Sequence, residues 1–370
     1  MTVPPYRFLD RGPQVAAFFA EVSAEPVLAL DLEADSLHHY PEKICLVQIS
    51  TPTTTAILDP LAAPEVLDGL ESVLADAAVR KIVHGGDYDV RLLKRERGVR
   101  VRNLFDTMIA AQFTGRERFG LAALLEEHFG VVLDKRHQRA DWSRRPLGPA
   151  LLAYAAGDTA HLHALCGLLA AQLAGLGRLG WAEEEFRLLE QIEPGAPKKP
   201  WCLDLKGTGR LAPRQLARLQ ALLELREELA RAGDRPPFMV LGNQTLIDWA
   251  QAPPAGRCEL LQTPGAGRSV LERVADRVLA ALSLAEAVPE PECPRAEPQR
   301  RVVLDAGEAS RLARLKAARE EAAKRLGLAV GLLVNGATLE KLAREGLAGA
   351  GLLKPWQAEA LGEAFLQALA

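Results

Sequence analysis

Seven residues, Val27-Leu28-Ala29-Leu30-Asp31-Leu32-Glu33, most narrow the folds open to this chain. Their apolar run reads as a short strand. Strand side chains alternate faces, so Asp31 and Glu33 point the same way. Two unpaired carboxylates on a buried strand would be costly. Two arrangements relieve that cost: an exposed strand end with solvated acids, or a divalent cation such as Mg²⁺ or Mn²⁺ held by hard oxygen ligands. Whether the rest of the chain brings further acids to the same place decides between them.

The surrounding pattern predicts a mixed sheet flanked by helices. Ile44–Ser50 and residues 55–59 read as two more strands, close enough in sequence to be antiparallel neighbours. Residues 13–24 and 64–75 carry helical periodicity, the second with proline at its first turn. Lys81-Ile82-Val83-His84 is a short strand that breaks at Gly85-Gly86 into a helix bearing Asp89, Leu92 and Leu93. Helices are predicted at 107–113 and 120–129, and one long helix over 149–173. Strands first, then alternating strands and helices, give the α/β class.

Residues 194–211 change character. Pro194, Gly195, Pro197, Pro200, Gly207 and Gly209 punctuate them, and Lys198, Lys199, Lys206 and Arg210 make them basic, which predicts a linker. The remainder is helical, with a second proline-rich break at 287–300. An internal repeat runs through it. Arg226-Glu227-Glu228-Leu229-Ala230 matches Arg319-Glu320-Glu321-Ala322-Ala323, 93 residues on, and Thr245-Leu246 matches Thr338-Leu339 at the same offset. Two copies of one small helical domain are expected.

Composition narrows the class of function. A chain of 370 residues, 48% hydrophobic, can build two or three domains with cores of their own. No apolar stretch reaches membrane-spanning length, and the start lacks the basic-then-apolar pattern of a signal peptide. The five cysteines have no paired spacing and read as reduced thiols, so a cytoplasmic location is expected. A net charge of −3 argues against coating nucleic acid by bulk charge and leaves local basic patches possible.

Two further stretches carry chemistry. Tyr154 and Asp158 stand four apart on a predicted helix and share a face, either as an ordinary surface pair or as part of a site. Gly157 between them either permits a close approach or is simply tolerated. In His84-Gly85-Gly86-Asp87-Tyr88-Asp89, Asp87 suits a dipole role at the helix start better than Asp89 does. His84 is either a ligand or a hydrogen-bonded histidine at a strand end.

The order Asp31-x-Glu33, His84-x4-Asp89, Tyr154-x3-Asp158 resembles the three exonuclease motifs of the DEDD superfamily. The text Asp141-Trp142-Ser143-Arg144-Arg145-Pro146-Leu147, with Tyr154-Ala155-Ala156-Gly157-Asp158, is similar to the ribonuclease D family. Residues 216–282 resemble an HRDC domain (helicase and ribonuclease D C-terminal), and 351–357 resemble part of a diverged second copy. Ala153 occupies the position where the histidine subclass would need His, so the tyrosine subclass is implied.

The resemblance implies a ribonuclease H-like exonuclease domain over 1–193, a linker over 194–211, and a first HRDC domain over 212–286. A linker over 287–300 and a second HRDC-like domain over 301–370 would follow. It also implies two divalent cations, Mg²⁺ or Mn²⁺. Asp31 would bridge both, Glu33 and Asp158 would complete the nucleophile side, and Asp89 would hold the second ion. Tyr154 would position the attacking water, a phenol near pKa 10 being a poor base. His84, Arg136, Arg139, Arg144 and Arg145, with Lys135, would contact substrate, and Trp142 would either stack or pack. The implied activity is 3′→5′ trimming of RNA 3′ ends such as those of tRNA precursors, releasing nucleoside 5′-monophosphates, by an enzyme with no membrane association and no need to oligomerise. A DNA-directed exonuclease and a noncatalytic RNA-binding scaffold are the other readings.

Overall fold

The computed structural model describes residues 5–195, 199–263, 267–296 and 304–369. The chain forms two compact units. One comprises 1–34, 44–194 and 302–370; the other comprises 35–43 and 195–301.

The first unit is built on a six-stranded sheet of β1 (Tyr6–Leu9), β2 (Val27–Ala34), β3 (Ile44–Ser50), β4 (Thr55–Leu58), β5 (Arg80–Val83) and β6 (Leu104–Asp106). Their spatial order is β1-β4-β3-β2-β5-β6. β3 runs antiparallel to both β2 and β4, as the short spacing predicts, while β2–β5, β5–β6 and β1–β4 are parallel. β1 and β6, four and three residues long, are too short to carry a readable alternation.

Helices α1 (Gly12–Val22), α2 (Glu65–Ala75), α3 (Asp87–Arg97), α4 (Thr107–Phe113), α5 (Leu121–Phe129), α6 (Pro149–Ala160), α7 (Leu162–Gly175) and α8 (Leu179–Glu190) belong to the same unit. The expected single helix over 149–173 is instead two, separated at His161. No glycine or proline marks that break. Tertiary bonds secure both sides of it: the Thr159 hydroxyl meets that of Ser50 at 2.7 Å, and His163 Nε2 lies 2.8 Å from the Ser50 carbonyl.

The second unit holds α9 (Pro213–Ala232), α10 (Pro237–Val240), α11 (Asn243–Gln251), α12 (Arg257–Leu260) and α13 (Arg268–Ala287). Much of the expected linker over 194–211 is folded structure. Residues 202–204 and 208–210 form 3₁₀ turns, with Cys202 and Thr208 buried and Gln220 bonding both Cys202 N and Pro200 O. Alternating turn residues mimic a linker when the partner that orders them lies further along the chain. Lys198 lies outside the described residues. The polar connection 35–43 groups with this unit too. Tyr40 donates its hydroxyl to Glu227 at 2.5 Å, and His39 Nδ1 lies 2.7 Å from Asp234.

A second set, α14 (Ala306–Leu326), α15 (Val330–Leu333), α16 (Gly336–Glu345) and α17 (Pro355–Ala368), repeats this order. α14, α15 and α16 begin 93 residues after α9, α10 and α11. The internal bonds repeat at the same offset. Arg218 donates to the Ala250 carbonyl and Arg311 to that of Ala343; Arg226 donates to Leu241 and Arg319 to Val334. This second set packs into the core of the first unit. Glu184 accepts from the Trp356 backbone, and Glu185 from Lys354 Nζ and the Trp356 indole.

Candidate active site

The sheet delivers its acids by register. Asp31 on β2 stands opposite Gln48, Glu33 opposite Leu46 and Ala29 opposite Ser50. Opposed and next-but-one residues share a face, and Ser50 meets Thr159 of α6. Asp31 and Glu33 therefore face α6, which carries Tyr154 and Asp158. Carboxylate oxygens of Asp31, Glu33 and Asp158 all lie within 4.8 Å of one another. Asp89, in the first turns of α3, stands outside that group, yet its charge is felt at Glu33, and the charge of Asp31 is felt at Asp89.

α3 is aimed by a residue the sequence reading overlooked. Asp106, buried at the end of β6, accepts from the N–H groups of Gly85, Gly86, Met108 and Ile109 at 2.8–3.1 Å. It caps α4 and clamps the turn that launches α3. Both glycines are required: Gly85 has φ +70°, and a Cβ on Gly86 would meet Val83 Cγ2 at 2.8 Å. An acid directly before the helix at Thr107 is the signal that could have found it. Gly157 has no such constraint, since its Cβ would meet Leu133 at an ordinary 3.5 Å.

The electrostatics are those of unneutralised crowding. Burial pushes the Asp31 carboxyl up to about 7, against a bond from Leu32 N–H. Burial, then the charges of Asp31, Asp158 and Asp89, push Glu33 to about 10. Asp89 and Asp158 are raised well above the carboxylate range, first by burial and then by Asp31. No lysine or arginine among the described residues pairs with Asp31, Glu33 or Asp158. Clustered oxygen donors without a counter-charge fit a hard divalent cation.

A pH dependence follows. A carboxyl with a native pKa above its unfolded value binds more protons in the native state between the two. Cation-free protein should therefore lose stability as pH rises from 3.8 through about 7, the window set by Asp31. A bound cation replaces those protons. The rise in Tm produced by Mn²⁺ should be larger at pH 8 than at pH 5, by roughly 5 °C for a unit of this size. Equal rises at both pH values in thermal melts would refute it.

The remaining candidates divide. Tyr154 lies between the rings of Trp142 at 5.8 Å and His137 at 6.2 Å. With His137, Arg136 and Asp158 it lines a cleft of about 570 Å³. Arg136 is exposed and held by Asp134 at 2.6 Å, and Arg139 and Arg144 are exposed. The side chain of Lys135 lies outside the described residues. His84 Nδ1 meets the Thr107 hydroxyl at 2.9 Å, and burial lowers its pKa against the pull of Asp106, which favours the neutral ring.

One open alternative is settled and one expectation is corrected. Trp142 is 1% exposed and packs among Cys45, Leu46, Ile57, Ala155 and Ala156, so it is core and presents no face for a base to stack on. Arg145, although partly exposed, commits all five N–H groups to acceptors of its own chain: both oxygens of buried Asp59 and the carbonyls of Trp142, Arg144 and Cys45. It fastens the 141–146 segment to the sheet and has no donor left for a phosphate.

Known proteins resemble this chain over most of its length. A 3′–5′ exonuclease family model matches residues 6–174, and an HRDC domain model matches 215–282. The chain is 31% identical over 293 residues to ribonuclease D of Escherichia coli, covering 78% of this chain and 77% of that one. The chain belongs to the ribonuclease D family. Ribonuclease D of Granulibacter bethesdensis is 29% identical over 371 residues, 97% of this chain and 91% of the relative. The crystal structure of Escherichia coli RNase D, an exoribonuclease involved in structured RNA processing, superposes with a TM-score of 0.75 at 26% identity, covering 99% and 98% of the two chains. As a member of the ribonuclease D family, the chain is a 3′→5′ exoribonuclease with an RNase H-like catalytic fold and an HRDC-containing helical region.

Proposed function

We propose that this enzyme trims 3′ extensions of structured RNA, such as tRNA precursors, and releases nucleoside 5′-monophosphates with two divalent cations, Mg²⁺ or Mn²⁺. The convergence of Asp31, Glu33 and Asp158 within 4.8 Å carries the reading. Following the family resemblance, Asp31 is assigned as the shared ligand, Glu33 and Asp158 as its partners, and Asp89, outside the 4.8 Å group, as a ligand of a second ion. When bound, the cations supply activation of the attacking water, neutralisation of the scissile phosphate and stabilisation of the departing 3′ oxygen.

The chain's own groups do the positioning. Burial and the neighbouring carboxylates raise the Tyr154 phenol above its ordinary range, so it stays protonated and acts through its O–H by orienting the attacking water, not as a base. Arg136, at the cleft, and the exposed Arg139 and Arg144 are placed to meet substrate phosphates. His84, its ring held by the Thr107 hydroxyl, is assigned a substrate contact. The repeated bonds of α14–α17 support a second HRDC-like domain over 301–370. No helix among the described residues is long and apolar enough to cross a membrane. A monomeric, cytoplasmic enzyme is part of the same proposal.

A 3′-extended tRNA transcript and its DNA analogue, both 5′-labelled, should be compared under Mg²⁺ and Mn²⁺. Stepwise shortening of the RNA is expected with either ion, with the DNA degraded at least about tenfold more slowly, a difference of roughly 1.4 kcal/mol in barrier. Preferential digestion of DNA would overturn the substrate assignment.

A further inference from the structure

We propose that Gln48 is a positioning residue for Asp31, donating an amide N–H to its carboxylate in the cation-loaded site and so fixing how Asp31 presents its oxygens. The inference rests on the assignment of Asp31 as a cation ligand.

Gln48 is fully buried at the middle of β3, a central strand whose other members are mostly apolar. Neither its Nε2 nor its Oε1 has a hydrogen-bond partner among the described residues. A buried amide left unpaired is unfavourable, and such groups are few in native structures. An apolar side chain of similar length would be the stabler occupant if packing were its only task.

The register places the amide where it can act. Gln48 is directly opposite Asp31 on the face covered by α6, so their Cβ atoms are about 5 Å apart, within the reach of a glutamine. The other polar groups on that floor are already committed: Ser50 is bonded to Thr55 and Thr159, and His163 to the Ser50 carbonyl. Asp31 has no side-chain partner of its own among the described residues. Once ionised and turned toward a cation, its carboxylate has lone pairs left to accept an N–H. Groups that orient a ligand from behind in this way typically change cation affinity by about 10- to 100-fold.

The test uses the full chain and compares Gln48→Met with the parent, with Gln48→Leu as a second apolar variant should the first fold poorly. Mn²⁺ affinity is read by titration calorimetry, Tm is read without cation, and kcat and KM are read on labelled RNA. Gln48→Met should bind Mn²⁺ about tenfold more weakly. Its kcat should fall by more than KM changes, and its cation-free Tm should be equal to or above that of the parent. A purely structural glutamine would lower Tm and leave the Mn²⁺ affinity alone. Parent-like Mn²⁺ affinity in a folded apolar variant overturns the proposal. Asp31→Asn measured alongside separates the two readings. If it loses Mn²⁺ while Gln48→Met keeps it, only the Gln48 role fails; if Asp31→Asn also binds as the parent does, the assignment of Asp31 as a ligand falls with it.

Discussion

Asp31→Asn is expected to abolish RNA hydrolysis while leaving RNA binding nearly unchanged. Asp31 has a carboxylate oxygen within 4.8 Å of both Glu33 and Asp158, and its charge is felt at Glu33, Asp89 and Asp158 alike. An amide of the same shape keeps the packing but loses the charge needed to hold a cation. Removing one ordinary electrostatic stabiliser lowers a rate by roughly 10²–10³; loss of a shared ligand should exceed that. Glu33→Gln, which removes a carboxylate assigned to one cation rather than shared by two, should be the milder change. The same substitution removes a buried charge, so cation-free Asp31→Asn should melt no lower than the parent at pH 8. Single-turnover digestion and anisotropy of a labelled RNA read the two effects separately. Degradation at the parent rate would mean that the site has been wrongly assigned.

Trp356→Ala should destabilise the catalytic unit by about 3–5 kcal/mol, the range for truncating a buried aromatic. The ring is 2% exposed. It packs edge-on to Phe113 at 4.8 Å and lies 6.0 Å from Trp181, with its indole N–H donating to Glu185 at 2.6 Å. Phe113 ends α4 and Trp181 opens α8, so a side chain from the last helix of the chain completes the core under the exonuclease sheet. Arg178 ties the same surfaces together, donating to the carbonyls of Phe113 and Leu326 at 2.9 and 2.5 Å. Denaturant melts should show the loss in one transition that also carries the activity. A parent-like midpoint would show that the C-terminal helices fold independently of the sheet. Deleting residues beyond 301 should be more damaging still, because Phe113 and Trp181 would both meet water.

The legibility of the fold followed the range of the interactions that made it. β2, β3 and β4 declared themselves because alternation and short spacing are local. α6 and α7 read as one helix because their break is secured by bonds to Ser50, more than a hundred residues away. The 200–211 segment looked like a linker for a similar reason: its order comes from Gln220 and the rest of α9. At the site, the acids were visible as motif spacings, while their supports were not. Asp106 and Gln48 act through a turn and a strand register, and neither has a spacing of its own to notice. Trp142 and Arg145 sit in a basic, aromatic stretch that suggests RNA contact, and only burial and a full count of donors show that they hold the fold together.

What the sequence determined by itself about Val27–Glu33 is that two carboxylates leave one strand on one face. That is a consequence of backbone geometry and needs no partner. What only the tertiary structure decided is that α6 lies across that face and brings Asp158 to within 4.8 Å of both, and that the buried Gln48 amide opposite Asp31 has no hydrogen-bond partner among the described residues. Convergence of residues 31, 33 and 158 depends on strand pairing and helix docking over more than a hundred positions, and no local pattern encodes a distance of that kind.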